Sequence, residues 1–281
     1  MDINGKVAIV TGIENLIEHK TMTDFETINY TVTNRVATIK LNRPKAMNAF
    51  NEKLRMDLTA AIEKAETDDD VRVVILTGEG RGFSAGADLM DSLAGYDDIE
   101  SHILKEYKPF LTTIDQSPKL YISAVNGACA GIGTALAMTC DFTVMADDAY
   151  LYLAFAAIGL IPDGGASYHL VNAMGYKKAM QLFVEAGRLQ PQECLEYGLA
   201  NKVVPANELL NQTQAWAEKL ARGAPLAQKF GKQVLRSAAR SSLTDVIDQE
   251  AKIQVITSTS EDHINATMAF FKKEKPVFIG K

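Results

Sequence analysis

The sequence is poor in cysteine and tryptophan and has no long apolar run. Three cysteines, Cys129, Cys140 and Cys194, are an odd number without CxxC spacing. That argues against a disulfide framework and against a zinc cluster, and it fits buried thiols in a reducing compartment. No apolar stretch is long enough to span a bilayer, and the first residues lack the charged-then-apolar form of a signal peptide. The expectation is a cytoplasmic protein with no membrane contact. An excess of positive charge is missing too. The formal net charge is −6, which gives no electrostatic footprint for nucleic acid or an anionic lipid surface. What remains, with 47% hydrophobic and 23% charged residues over 281 positions, is a globular chain long enough for one large domain or two small ones.

Glycine is lacking at one place where a first glance expects it. "NGKVAIVTG" (Asn4 to Gly12) reads as a buried strand ending in a glycine, as at the start of a dinucleotide-binding unit. Such a unit needs further glycines at fixed spacing so that backbone can approach a pyrophosphate. The chain continues "IENLIEHKTMTDF", without one. Residues 1–21 are therefore read as an N-terminal extension, with Met22 as an earlier start.

Periodicity supplies the organisation. Between Phe25 and Asn42 the apolar residues alternate, Ile28, Tyr30 and Val32 and then Val36, Ile39 and Leu41. With "TN" at 33–34 as the turn this predicts a hairpin, closed by "NRP". Leu54, Leu58, Ile62 and Ala65 share one face of a helix, and "DDD" (Asp68 to Asp70) is a solvated loop. "VRVVILTG", "YISAVNG" and "FTVMAD" are strands too apolar to face water on either side. Glycine turns and helices separate them, which implies parallel strands with helical crossovers. The last 80 or so residues carry helical apolar patterns suited to docking on the core or on a neighbouring subunit.

Two turns, "FSAGADL" (Phe83 to Leu89) and "GACAGIGTALAMTCD" (Gly127 to Asp141), place small residues where a strand gives way to a helix. Such turns leave backbone N–H groups unpaired, and two of them converging on one point bind an oxyanion. On the glycines alone, tight packing is the better account of both. The set shifts that balance. "VATIKLNRPKAMNAF", "FSAGADL", "AVNGACAGIGTALAMTCD", "IGLIPDGG" and "AFFKKEKPVFIGK" occur in order and together resemble the crotonase, or enoyl-CoA hydratase/isomerase, family, from about Met22 to Lys281.

The resemblance implies an α/β spiral of ββα repeats over 22–210. A helical region at 211–281 would assemble the chain as a homotrimer or a dimer of trimers. The ligand would be an acyl-coenzyme A thioester, with no cofactor beyond that coenzyme A and no metal. Its carbonyl would sit between the backbone N–H groups of Ala87 and Ile132. Ile132 stands where a glycine is frequent; a backbone donor tolerates that, but the side chain reshapes the acyl pocket. Coenzyme A would lie against Ala85 and Asp88, with Phe270 and Lys273 or Lys281 reaching a neighbour's adenine and phosphates; taken without the family, the phenylalanine reads equally as core and the lysines as a solvated tail. Phe155, Ala135 and Leu160 would form the acyl pocket.

The resemblance also locates two missing acids. Hydratases of the family add water with two glutamates, and the matching positions here are Ala135 and Phe155, which carry no proton. Asp163, in "PDG", matches the acid of single-carboxylate isomerases, which move a double bond from the 3,4 to the 2,3 position with one proton-transfer group. Taken without the family, Asp163 reads equally as the N-cap of the helix starting near "GASYHL". Asp88 and Asp141 read as helix braces, His169 as structural, and His19, His102 and His263 show no pairing pattern. Other readings are a ring-isomerising enzyme of aromatic-acid catabolism, an aryl-CoA dehalogenase (disfavoured because Phe155 replaces its tryptophan), a thioester hydrolase and a non-catalytic acyl-CoA-binding subunit.

Overall fold

Alternating apolar residues build the first element as expected. Strands β1 (Ile28–Thr33) and β2 (Val36–Leu41) pair antiparallel. The two-residue turn is Asn34-Arg35, one position later than the pattern suggested. Both residues take positive φ, 52° and 66°, the geometry whose twist matches flanking strands. The computed structural model describes residues 25–93 and 98–281; the extension assigned to 1–21 lies outside them.

After helix α1 (Glu52–Thr67), which buries Leu54, Leu58, Ile62 and Ala65, the chain repeats one unit. Strand β3 (Val73–Gly78) joins the large sheet, β4 (Gly82–Ser84) joins a small second sheet, and helical segments follow. These are α2 (Leu89–Leu93), α3 (Ile99–His102) and α4 (Lys108–Gln116), with a π-helical turn at Ile103–Tyr107. The unit recurs as β5 (Leu120–Val125), β6 (Ala128–Ala130) and α5 (Ile132–Thr139). It recurs again as β7 (Phe142–Ala146), β8 (Tyr150–Tyr152) and α6 (Ala166–Val184). This is a ββα spiral. β2, β3, β5 and β7 run parallel in the large sheet and β4, β6 and β8 run parallel in the small one. The interior strands read as continuous apolar runs because they are covered on both faces; β3 and β5 are buried at every residue.

Strand β9 (Arg188–Leu189) closes the small sheet, α7 (Pro191–Glu196) follows, and β10 (Lys202–Val204) closes the large one. Four helices complete the chain: α8 (Leu209–Ala221), α9 (Pro225–Ala238), α10 (Leu243–Ser258) and α11 (Glu261–Lys272). The division expected at 210/211 falls inside α8, which packs on β2, β3, β5 and β7 as part of the core. Among the described residues no helix is long and apolar enough to cross a membrane. All three cysteines are free and buried.

Candidate active site

The first glycine turn is held so tightly that one N–H is singled out. Ala85 N–H donates to Met47 O (2.8 Å), Phe50 N–H donates to Gly86 O (2.8 Å), and Asp88 N–H donates to Phe50 O (3.1 Å). Ser84 Oγ donates to Asn48 O (2.8 Å) and accepts the Gly86 N–H (3.1 Å). The N–H groups of residues 85, 86 and 88 are thus consumed, and Ala87 N–H is left without a protein acceptor among the described residues. Asn48 anchors the same loop, its amide donating to Glu79 O (3.0 Å) and Gly82 O (2.8 Å).

The second turn presents the other donor. Gly131 (φ 53°) precedes α5 and accepts from Thr134 N–H (2.9 Å), while its own N–H goes to Tyr152 O (3.2 Å). Ile132 is the first residue of α5, a position whose N–H has no acceptor within the helix and lies at the positive end of its dipole. The two turns touch. A Cβ at Gly86, which sits at φ +95°, would lie 3.0 Å from Ala130 O and 3.4 Å from Gly131 Cα. Only glycine permits both that backbone angle and that approach.

Asp163 arrives from a third element, the loop between β8 and α6. Its side chain does not cap α6: the N-cap is Gly165, with no side-chain cap bond. Instead Asp163 Oδ1 is buried and, among the described residues, has no hydrogen-bond partner. Burial pushes the carboxyl up to about 6 from its ordinary 3.8, offset in part by a backbone N–H. The next residue, Gly164, rests on the side chains of Ile132, Ala135 and Leu111. The acid turn is therefore seated on the helix whose first N–H is the second donor. A carboxyl with a buried, unpartnered oxygen, on a turn packed against the helix that carries one of the two N–H groups, is equipped to take up a proton next to a carbonyl whose charge such donors hold.

The remaining candidates divide. Ala135 and Phe155 are buried, at 0% and 5% exposure, whereas Leu160 is 53% exposed and does not join them in a closed pocket of the single chain. Its N–H turns back to Phe155 O and its side chain faces outward. Asp88 is a brace: Arg43 lies 3.0 Å from its carboxylate, Met90 N–H donates to it, and these contacts help hold its pKa below the usual range. Ala85 is spent holding the turn. Phe270 and Lys273 are exposed at the end of α11, which packs on α10. Asp141 also braces, accepting from Tyr121 N–H, Lys232 Nζ and Arg236 Nη2. His169 is paired with Thr139 Oγ1 at 3.2 Å, and burial holds it down to about 4. His102, for which no pairing was expected, faces Glu106 at 3.3 Å beside Arg55. A cleft of about 900 Å³ opens elsewhere, between α9 and α5–α6, and its His169 and Arg236 are already engaged. Sequence reasoning passed over Ser84, Asn48 and Leu111, although Ser84 and Asn48 lie within quoted motifs.

Comparison with known proteins identifies the family. The family model described as Enoyl-CoA hydratase/isomerase matches residues 31–281. A probable enoyl-CoA hydratase of Rhodobacter capsulatus is 34% identical, covering 92% of this chain and 99% of its own. The 1,2-epoxyphenylacetyl-CoA isomerase of Escherichia coli is also 34% identical, over 88% and 95%. A trans-2-decenoyl-[acyl-carrier-protein] isomerase of Streptococcus mutans is 30% identical, over 92% and 100%. The solved enoyl-CoA hydratase of Bacillus anthracis superposes with a TM-score of 0.87 at 29% identity, covering 91% of this chain and all of that one. With the ββα spiral, the paired turns and these relatives in agreement, the chain belongs to the enoyl-CoA hydratase/isomerase (crotonase) family.

Proposed function

We propose that the chain is an enoyl-CoA isomerase that moves a double bond from the 3,4 to the 2,3 position of an acyl-CoA thioester. One observation carries the reading: Asp163 has a buried Oδ1 without a partner among the described residues, and its turn packs through Gly164 on α5; the two positions that the resemblance matches to the hydratase glutamates are buried Ala135 and Phe155. Adding water requires one group to activate it and another to protonate carbon. Shifting a double bond requires one group used twice.

In this mechanism the Ala87 and Ile132 N–H groups hold the thioester oxygen. Asp163, as carboxylate, removes a proton from C2. The electron pair spreads into a dienolate whose oxyanion the two donors stabilise, worth several kcal/mol. The protonated Asp163 then returns the proton at C4, and the 2,3 double bond is left conjugated with the carbonyl. A carboxyl raised to about 6 suits both halves, since it is mostly ionised at neutral pH yet holds the transferred proton better than an ordinary aspartate. Buried Phe155 helps keep water from the dienolate.

A second reading, ring isomerisation of a cyclic acyl-CoA, has the support of the 34%-identical relative named 1,2-epoxyphenylacetyl-CoA isomerase. It would use the same acid. Large apolar residues left exposed on α10 and α11, among them Val255, Ile256, Ile264 and Phe271, support assembly as a trimer or a dimer of trimers. In such an assembly Phe270 and Lys273 would be free to reach a neighbour's coenzyme A.

The test is a side-by-side panel of linear 3-enoyl-CoA, linear 2-enoyl-CoA and cyclic epoxy-acyl-CoA substrates. The expected result is double-bond migration in the first and no hydration of the second. Hydration at a comparable rate contradicts the proposal. Turnover of the cyclic substrate alone favours the second reading, and binding without any turnover makes the chain an acyl-CoA-binding subunit.

A further inference from the structure

The side chain of Ile132 lies between the two halves of the proposed site. Its backbone N–H belongs to the oxyanion pair, and its Cδ1 reaches the neighbouring acid turn. A Cβ built on Gly164 would overlap Ile132 Cδ1, lie 2.8 Å from Ala135 Cβ and lie 3.3 Å from Leu111 Cδ1. Gly164 adopts φ +59°, so the turn is glycine-shaped at the point where the isoleucine presses against it. Ile132 is 2% exposed, Leu111 6% and Ala135 0%. The contact is a packed one, in which displacement of one partner is transmitted to the other.

We propose that Ile132 is a positioning residue. Its side chain sets the height of the Asp163–Gly164 turn above the oxyanion donors and keeps water from beneath the carboxyl. The inference deepens the isomerase reading and rests on it for its kinetic consequence. The backbone donor is indifferent to what side chain residue 132 carries, but the acid is not. A side chain truncated to alanine leaves a space that the turn can fall into or water can enter. Movement of the turn displaces the proton acceptor relative to C2, and entry of water relieves the burial that raises its pKa. A displacement of about 1 Å in a proton-transfer geometry costs on the order of 100-fold in rate.

The experiment compares Ile132→Ala and Ile132→Val with the wild type on three readouts. These are the pH–rate profile with 3-enoyl-CoA, the KM for that substrate, and direct NMR titration of ¹³C-carboxyl-labelled aspartate, with Asp163→Asn identifying the resonance. Ile132→Ala is expected to lower kcat roughly 10- to 100-fold with KM changed by less than about 3-fold, because thioester contacts through the backbone survive. The Asp163 titration midpoint is expected to fall by roughly one pH unit. Ile132→Val, which loses one methyl, is expected to fall between the two. A midpoint and kcat unchanged in both variants overturn the proposal, as does a loss confined to KM or to thermal stability. The NMR titration needs no turnover. It therefore tests the positioning role even if the substrate panel contradicts isomerase chemistry, and an unmoved resonance refutes that role even if isomerase activity is confirmed.

Discussion

At the scale of single residues, the burial of Asp163 has two measurable consequences. In the proposed reaction Asp163 acts as a base when ionised, so kcat/KM for 3-enoyl-CoA is expected to rise with pH along a limb centred near 6, where an ordinary aspartate would place it near 4. Stability runs the other way. A carboxyl whose pKa is higher in the folded than in the unfolded chain favours folding most when protonated. Its contribution therefore falls as pH rises from about 3.8 to about 6. Asp163→Asn should raise stability at pH 7 by about 2–3 kcal/mol and change little below pH 4, as read by denaturant unfolding at the two pH values. Asp163 was legible as a candidate because "PDG" after an apolar run is compositionally odd. Its choice between capping and chemistry was not, since that depends on whether a helix N–H reaches the carboxylate, and Gly165 takes the cap position instead. The positions of Ser84 and Asn48 were equally hidden. A hydroxyl and an amide bonded to distant backbone leave no local pattern, although without them the free Ala87 N–H would not be singled out.

At the scale of elements, strands with alternation or long apolar runs announced themselves: β1, β2, β3, β5 and β7 fall where the pattern placed them. The residue pattern did not reveal β4, β6 and β8. Three residues each are too few to show a period, and they sit inside stretches read as loop, helix turn and pocket. Only the family resemblance supplied the second layer. Helix α5 carries its own prediction. It is buried at all eight positions, and Ala135 lies under Gly164. Restoring both glutamates, as Ala135→Glu with Phe155→Glu, should therefore give no hydratase activity. It should cost several kcal/mol, because a carboxyl at 135 has no room under Gly164 and one in place of Phe155 would be buried among apolar groups; measurable hydration of 2-enoyl-CoA would contradict this. Helix α9 is fastened by Lys232, whose Nζ donates to Asp141 (2.8 Å), Ile114 O (3.1 Å) and Lys119 O (3.0 Å). Lys232→Met should destabilise by about 1–3 kcal/mol at pH 8, because Ile114 O and Lys119 O lose their donor and Asp141 keeps only Arg236 and Tyr121 N–H as partners among the described residues. The loss should shrink as pH falls, because burial already raises the Asp141 pKa and removing one of its two cations raises it further.

At the scale of the whole molecule, the core is continuous across both sheets and α8, while α10 and α11 have few buried residues of their own. Leu243, Val255, Phe270 and Phe271 are 65–78% exposed, more apolar surface than two terminal helices normally leave in water. A sedimentation measurement is expected to give three or six copies of the 30.6 kDa chain. Charged residues at Val255 and Phe271 should shift the mass downward. The proposed mechanism requires one acid, Asp163, to carry out all the proton transfer. The decisive measurement is the turnover of 3-enoyl-CoA by assembled Asp163→Asn protein, beside its affinity for the same thioester. Retained mass and affinity, with double-bond migration reduced by about 10²–10⁴-fold, is the predicted result. Migration at the wild-type rate would contradict it, because some other group would then be moving the proton.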